Sequence, residues 1–520
     1  MDNLPLEILP NIAARLSRYR LCACVLVCRS WYAMFISQLY TTVDIHKPKS
    51  FIQFVKTARN TEKRYQLGRL VRKMILPNST CITSDSYLPV LFPFIVEFDH
   101  GGMNSSDLSE VLGAWKCIEN VGPVIVRDPK EFPLDLLRHR ITKLTIIIGS
   151  FTEWVDIMAE LPRVEELQIQ SRSNRIMGEP SEAAISFCEL ETLHENFPHI
   201  RTLTLREILV YGELPRYITP CNKVDDLQLM FIEGHRWGQY FAQKYTNLEN
   251  LQIAFDRVPE INAEPESIVL AKSCRHLKQF IQDSGPMTIF QQVFEALLQI
   301  GAPMTAIKLP QTATNLYKKI VEGFQKTHSR ASLTIDIRNM CEDAVGPLAA
   351  CKLLVELDLR LFNHYLCIDQ ILDCCKHLTE LKIDAPHIGV SNERTATYHS
   401  HGLRTLKLRA KINQTVYSYM SQRCPRLSSL DIEFHKFDRP YIIHLPNQNI
   451  KLLSITSDIH RMMYNVTRID ETGKLQDWSK RYQRRANGFE LGGHIQLTEL
   501  TGDEDIANYA LYFPEERVNE

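Results

Sequence analysis

The sequence has no run of about 18 consecutive apolar residues, which excludes a membrane-spanning helix of ordinary length. It has no charge excess either. The formal net charge is -1 at pH 7 over 520 residues, so nothing in the charge balance directs the chain to nucleic acid or to an anionic membrane. A basic leader is missing: Asp2 and Glu7 occupy the opening residues, which argues against a secretory signal and for a cytoplasmic or nuclear protein. The common chemical signatures are missing too. There is no Gly-x-Ser-x-Gly elbow, no phosphate-cradling Gly-rich loop, no His-Glu-x-x-His and no Cys-x-x-Cys pair. No catalytic residue, cofactor or metal is therefore expected. His399-Ser400-His401, Gly492-Gly493-His494 and Gly101-Gly102 stand isolated and read as surface turns.

What is present is a globular composition, 44% hydrophobic and 23% charged, in a chain long enough for several cores or one elongated one. Through it runs a repeat, apolar-x-x-Leu-x-Leu/Ile. Its clearest copies are Val164/Leu167/Ile169, Ile200/Leu203/Leu205, Val224/Leu227/Leu229 and Leu248/Leu251/Ile253, then Leu354/Leu357/Leu359, Leu378/Leu381/Ile383, Leu403/Leu406/Leu408, Leu427/Leu430/Ile432 and Ile450/Leu453/Ile455. Weaker copies keep the phase at Ile141/Leu144/Ile146, Met304/Ile307/Leu309 and Leu333/Ile335, and upstream at Val71/Met74/Leu76 and Ile118/Val121. Clean copies lie about 23–25 residues apart, within the range of leucine-rich repeats. A longer gap between Leu167 and Leu203 holds an insertion around 171–181.

Each Leu-x-Leu is a short strand with both leucines on one face. The residues between copies supply a helix, as in Asp369–Cys375 and Val416–Met420. No unit can bury its apolar face alone, so the expectation is an α/β solenoid: a curved stack with parallel strands inside and helices outside. The 14 cysteines fit this frame. Cys221, Cys274, Cys351, Cys375 and Cys424 each stand three residues before the first apolar residue of a copy, where Leu161, Phe197 and Tyr245 stand elsewhere. One per repeat is a buried corner hydrophobe, not a metal cluster. Cys374 and the group Cys22/Cys24/Cys28 read as packing residues as well.

The side chains flanking the leucines point out of the stack. In the later copies these are Glu356, Asp358 and Arg360, then Glu380, Lys382 and Asp384, then Lys407 and Arg409, then Asp431 and Glu433. They tile a mixed-charge face that is either a target-binding surface or an ordinary solvated one held by cross-strand ion pairs.

The first forty residues differ from the rest. Pro5 and Glu7 open a helix, and Ile8, Leu9, Ile12 and Leu16 recur at helical spacing. After the interruption 17–20, Leu21, Val25, Val27 and Cys28 begin a second helical pattern, which Trp31 and Phe35 extend towards Leu39. Such a segment is too short to be stable alone and finishes its core against something else. Leu4, Pro5, Glu7, Ile8, Leu9, Ile12, Leu16, Val27, Cys28, Arg29 and Trp31 resemble the F-box in register; Arg20 departs from it, standing before Leu21 where an acidic residue is common. The resemblance covers roughly 40 residues. It implies an adaptor-binding set of Leu4, Pro5, Ile8, Leu9, Ile12, Leu16, Leu21, Val27 and Trp31. The implied partners are a Skp-type adaptor and, through it, a cullin–RING ubiquitin ligase. The repeats resemble the cysteine-containing leucine-rich repeats that accompany many F-boxes. That implies a non-catalytic substrate receptor for an unknown target protein, or a scaffold without ubiquitin transfer.

Beyond Ser457 the repeat stops. The segment 461–488 is basic (Arg461, Arg468, Lys474, Lys480, Arg481, Arg484, Arg485) with Trp478 and Tyr482 interleaved. It reads as the cap a solenoid needs, or as a partner-binding or nuclear-import patch. Asp503, Glu504, Asp505, Glu515 and Glu516 make the final stretch an acidic tail. The expected domains are therefore 1–41, 42–458 and 459–520.

Overall fold

The computed structural model describes residues 12–434 apart from 14, 17, 46–47, 61–66, 77–87, 100–108, 110–111, 173–182, 256–264, 310–320, 322, 324–330, 338–344, 362–364 and 392–399, together with the backbone of short strands beyond 434. The chain divides into two compact units, Met1–Asn247 and Leu248–Glu520.

In the first unit the parallel ladder begins directly after the N-terminal helices. Strands β1 (Thr42–Asp44), β2 (Lys73–Ile75), β3 (Glu97–Asp99) and β4 (Asn120–Val121) pair in chain order, with Val43, Met74, Phe98 and Val121 in one register row. The ladder breaks at Gly122. Its amide donates to the Phe98 carbonyl at 2.7 Å, and a Cβ there would sit 2.7 Å from Asp99, so only glycine passes. A second ladder then runs through β5 (Val124–Val126), β6 (Lys143–Ile148) and β7 (Glu166–Ser171). Past the short β8 (Ala184–Ser186) it takes in β9 (Thr202–Arg206), and past β10 (Leu209–Tyr211) it takes in β11 (Asp226–Met230). Strands β8, β10 and β12 (Glu233–Gly234) form a small parallel sheet of their own.

The register stacks like on like. Val124, Leu144, Leu167, Leu203 and Leu227 form one buried row; Val126, Ile146, Ile169, Leu205 and Leu229 form the next. Glu207 and Phe231, at φ 56° and 59°, follow β9 and β11 at matching positions. This left-handed geometry, which β-carbons resist, turns the chain out of the ladder into β10 and β12. Between the helices Phe187–Asn196 and Trp237–Lys244, the buried Lys244 ammonium donates to Glu191 at 2.7 Å, and the Tyr240 hydroxyl donates to the same carboxylate at 2.7 Å. A buried ammonium needs such a partner.

The second unit continues the same construction. Its strands are β13 (Asn250–Ala254), β14 (Gln279–Ser284), β15 (Ala306–Leu309), β16 (Ala331–Ile337), β17 (Leu354–Leu361), β18 (Tyr365–Cys367), β19 (Glu380–Gly389), β20 (Thr405–Ile412), β21 (Ser429–Phe434), β22 (Ile442–Leu445) and β23 (Leu452–Ser457). Leu251, Phe280, Ile307, Leu333, Leu357, Leu381, Leu406, Leu430 and Leu453 form one row across it. The parallel order ends at β23. The later strands are β24 (Met463–Ile469), β25 (Leu475–Gln476), β26 (Tyr482–Gln483), β27 (Gly493–Leu497) and β28 (Asn508–Tyr512). Of these, β27 closes the ladder antiparallel to β23, while β22, β24, β25, β26 and β28 pair antiparallel among themselves. The C-terminal region read above as a basic cap and acidic tail is thus strand-forming. Most of its charged residues, Asp503–Asp505 included, lie outside the described residues.

Two local devices recur. Where a strand begins, one carbonyl accepts two successive amides of the next repeat: Thr142 from Glu165 and Glu166, Glu249 from Lys278 and Gln279, Thr379 from Arg404 and Thr405. Where a helix or turn meets the next strand, the corner residue's carbonyl accepts the amide three residues on: Phe197 from Ile200, Cys274 from Leu277, Cys375 from Leu378, Cys424 from Leu427. Cys274, Cys351, Cys375 and Cys424 are buried at this corner, and burial pushes the thiols up to about 12 at Cys274, Cys375 and Cys424 and about 11 at Cys351. Both units are leucine-rich-repeat stacks of the α/β type.

Several expectations are corrected. Cys221 is only half-buried, and Cys22 and Cys28 are exposed, so those three do not pack the core. The expected helices are present at Ile368–Cys374 and Gln414–Arg423, but residues 212–225 cross between strands with no helix, and Gly346–Ala350 is a single 3-10 turn. His401 is not a surface turn. It is buried; its Nδ1 accepts the Leu403 amide at 3.2 Å, which leaves Nε2 to donate to the Cys375 carbonyl at 2.9 Å.

Gln282 breaks the leucine pattern. It holds the second core position of β14, fully buried, and among the described residues neither amide atom has a partner. An unpartnered buried polar group costs about 1–3 kcal/mol. Gln282→Leu is therefore expected to raise the melting temperature by several degrees in a thermal melt, at about 2–4 °C per kcal/mol; an unchanged or lower value would contradict the unpartnered state.

Burial, and secondarily the Arg423 charge, holds His401 below its ordinary range; burial and Lys244 hold His194 down at about 3. Depressed folded-state values mean that the unfolded chain takes up protons first. Stability is then full above about pH 6.5 and is lost as pH falls below it. Melting temperature measured from pH 7.5 to 5 should fall, and the fall should be shallower in a His194→Gln, His401→Gln double variant.

Candidate functional site

Two kinds of surface stand out. The first is the N-terminal segment. Of residues 17–20, read as an interruption, 18–20 begin the helix Arg18–Val25, and the second helical pattern is broken where Cys28 adopts an extended backbone before the helix Arg29–Thr41. Ala13, Leu21 and Phe35 form the buried centre of this pair, with Leu16, Cys24, Val25, Trp31 and Leu39 packed around it. Trp31 lies 5.3 Å from the Phe35 ring, centroid to centroid. Of the expected adaptor-binding residues, Leu21 is therefore a core residue, and Ile12, Leu16 and Trp31 are half-buried. Val27 is 61% exposed, and Leu26 beside it, missed in the sequence reading, is 84% exposed. Leu4, Pro5, Ile8 and Leu9 lie outside the described residues. The helix Arg29–Thr41 runs straight into β1, and Tyr40 stacks on Phe54 (6.5 Å), which stacks on Phe92 (5.4 Å). The N-terminal helices are thereby tied to the first repeats by packed rings.

The second kind is the solvent side of the strands. In the second unit the register brings the expected target-binding residues together: Glu356 beside Glu380, Asp358 beside Lys382, Lys382 beside Lys407, Lys407 beside Asp431, Arg409 beside Glu433. They are spent largely on one another. Arg409 bridges Glu433 (3.1 Å) and Asp384 (3.6 Å); Lys407 faces Asp431 (3.8 Å); Lys382 holds Glu380 (2.7 Å); Arg360 approaches Asp358 (3.6 Å). The Glu380 hydrogen bond, outweighing burial, raises Lys382 above its ordinary value, helped by Asp358 and Glu356.

The first unit's face differs. Its central row is Thr145, Gln168, Thr204 and Gln228 in register, with Lys143, Glu166, Thr202 and Asp226 on one side and Ile147, Gln170, Arg206 and Met230 on the other. Lys143 pairs with Glu166 at 2.7 Å. Among the described residues Asp226 receives only Gln228 Nε2, at 3.3 Å. Burial raises Asp226 above the usual carboxylate range, Asp225 and Glu166 raise it further, and the Gln228 hydrogen bond offsets part of this. This face was not singled out in the sequence, although the x positions of the same Leu-x-Leu copies contain it.

Among the described residues no group of three or more His, Cys, Asp or Glu is placed to hold a metal ion, and no helix is long and apolar enough to cross a membrane.

Comparison with known proteins gives an F-box-like family match at residues 1–46. No curated protein matches the chain in sequence. Among solved structures, the leucine-rich repeat-containing protein LegL7 from Legionella pneumophila is similar at 11% identity and TM-score 0.30, over 56% of this chain and 83% of that one. A TLR13–ssRNA13 complex is similar at 12% identity and TM-score 0.34, over 71% of this chain and 57% of that one. The fold assignment rests on the strand register described above and not on these likenesses.

Half-exposed ion pairs contribute about 0–1 kcal/mol each. Arg409→Ala removes two such pairs and should accordingly change stability by less than about 2 kcal/mol in urea unfolding; a larger loss would show that the face is structural.

Proposed function

We propose that this chain, which carries an F-box-like domain at its N-terminus and leucine-rich repeats after it, is the substrate-recognition subunit of an SCF-type cullin–RING ubiquitin ligase. The N-terminal helices dock a Skp-type adaptor, and the strand faces hold a target protein for ubiquitin transfer and proteasomal degradation in the cytoplasm or nucleus. The observation that supports this reading most is the F-box-like match at residues 1–46, lying on helices that expose Leu26 and Val27. Exposed apolar side chains at a helix turn, next to a self-contained small core, fit a surface completed by a partner. The ring stack Tyr40–Phe54–Phe92 fits the positioning such a subunit must perform. Its contribution to ubiquitin transfer is effective concentration, so it needs no catalytic side chain of its own.

The second reading, a scaffold without ubiquitin transfer, is favoured by the mutual pairing of the charges on the second unit's face, which leaves little free charge for capture.

The test is adaptor capture by the full chain and by a Leu26→Asp, Val27→Asp variant. The variant should lose at least about tenfold in affinity, ~1.4 kcal/mol, with its melting temperature unchanged because both residues are exposed. Failure of the unaltered chain to capture adaptor, or undiminished capture by the variant, contradicts the docking assignment. Longer half-lives of bound proteins on deletion of residues 1–46 separate a receptor from a scaffold.

A further inference from the structure

We infer that the strand face of the first unit, and not the charged face of the second, is the target-holding surface, and that it takes an extended protein segment carrying a lysine or arginine. This rests on the receptor reading above and specifies the partner's chemistry.

The central row Thr145–Gln168–Thr204–Gln228 consists of half-buried hydroxyls and carboxamides in direct register. Adjacent members are about 4.8 Å apart. The two threonine hydroxyls make no hydrogen bond among the described residues. Each glutamine uses one N–H, Gln168 towards Gln170 at 3.1 Å and Gln228 towards Asp226 at 3.3 Å, and its carboxamide oxygen is left over. Hydroxyls and carboxamides both donate and accept, as does an extended backbone with alternating N–H and C=O. A row of this kind offers little to a ligand recognised by charge alone.

Charge complementarity then selects the segment. Beside the row, Asp226 is half-buried and, among the described residues, neither it nor Asp225 has an ion pair, while Glu166 already holds Lys143. Asp225 and Asp226 are neighbours in sequence, Glu166 stands two strands away in the same register row as Asp226, and burial works against Asp226 in particular. A carboxamide at 226 would keep the Gln228 contact and lose the repulsion. A partner's ammonium or guanidinium would supply the missing charge, and a desolvated carboxylate gives a cation more than an exposed one does. The second unit's face offers less over its charged strands: Arg360, Lys382, Lys407 and Arg409 are each already beside a carboxylate, and Glu356, which has no ion pair among the described residues, is exposed and not half-buried.

The experiment selects 12-residue peptides from a randomised display library on the purified full chain. Selected peptides are then measured against Asp225→Asn/Asp226→Asn and against Lys407→Ala/Arg409→Ala variants at 50 and 300 mM salt. The expected result is enrichment of Lys or Arg at one position and at least tenfold weaker binding to the Asp225→Asn/Asp226→Asn variant. Affinity for the Lys407→Ala/Arg409→Ala variant should stay within twofold, and higher salt should weaken binding. The Asn variant should melt no lower than the unaltered chain, which separates a recognition role from a folding one. No basic enrichment, no selected peptide at all, or binding lost only in the Lys407→Ala/Arg409→Ala variant overturns the inference. Adaptor capture by the same preparations keeps the two claims apart: capture without a basic preference sinks this inference alone, and absent capture sinks the receptor reading.

Discussion

The leucine pair on each strand has only one dry place to go, the seam it shares with the strands before and after it. A six-residue strand carries two or three inward side chains and cannot shield them itself. Stacking Leu144 on Leu167 on Leu203 in the first unit, and Leu357 on Leu381 on Leu406 in the second, removes them from water a row at a time. Losing one such leucine to alanine typically costs about 2–5 kcal/mol. The same demand fixes the corners: a residue that ends one helix or turn must be small or apolar enough to tuck under the next strand, and Cys274, Cys375 and Cys424 do this with uncharged thiols.

Because the inward positions are dictated by packing, the outward ones are free to vary, and the two units use that freedom differently. The second unit's strands spend their charge on one another across the ladder. The first unit's strands carry a central row of neutral hydrogen-bonding groups beside Asp225 and Asp226, which have no ion pair among the described residues, while Glu166 holds Lys143. Upstream, the N-terminal helices make a core of their own from Ala13, Leu21 and Phe35, and are joined to the repeats through Tyr40, Phe54 and Phe92. A small helical segment exposes apolar residues at its turn and is joined through packed rings to the first repeats.

Much of this was legible in the sequence because the ladder imposes a period. The apolar-x-x-Leu-x-Leu copies named the register rows, down to the weak ones at Met74 and Val121. Where geometry departs from the period, legibility ends. Nothing local announces that Cys28 is extended and splits two helices, or that His401 turns inward to bridge Cys375 and Leu403. Gln282 sits in a leucine's place, and its isolation is a property of its surroundings. The antiparallel closure by β27 depends on partners distant in sequence, which no period encodes. As for the strand faces, the x positions are readable in every copy, but their residue types alone do not tell a paired charge from a free one. Whether a charge is free or already paired is decided across strands, and among the described residues Asp225 and Asp226 have no ion pair while Glu166 in the same row has Lys143.

The separation of a docking segment from a holding surface is tested most directly by hydrogen–deuterium exchange on the full chain with and without a Skp-type adaptor. Slowed exchange confined to residues 1–46, with the strands from Lys143 to Met230 unchanged, is the result this account requires. Protection spread along those strands, or no protection in residues 1–46, would contradict it.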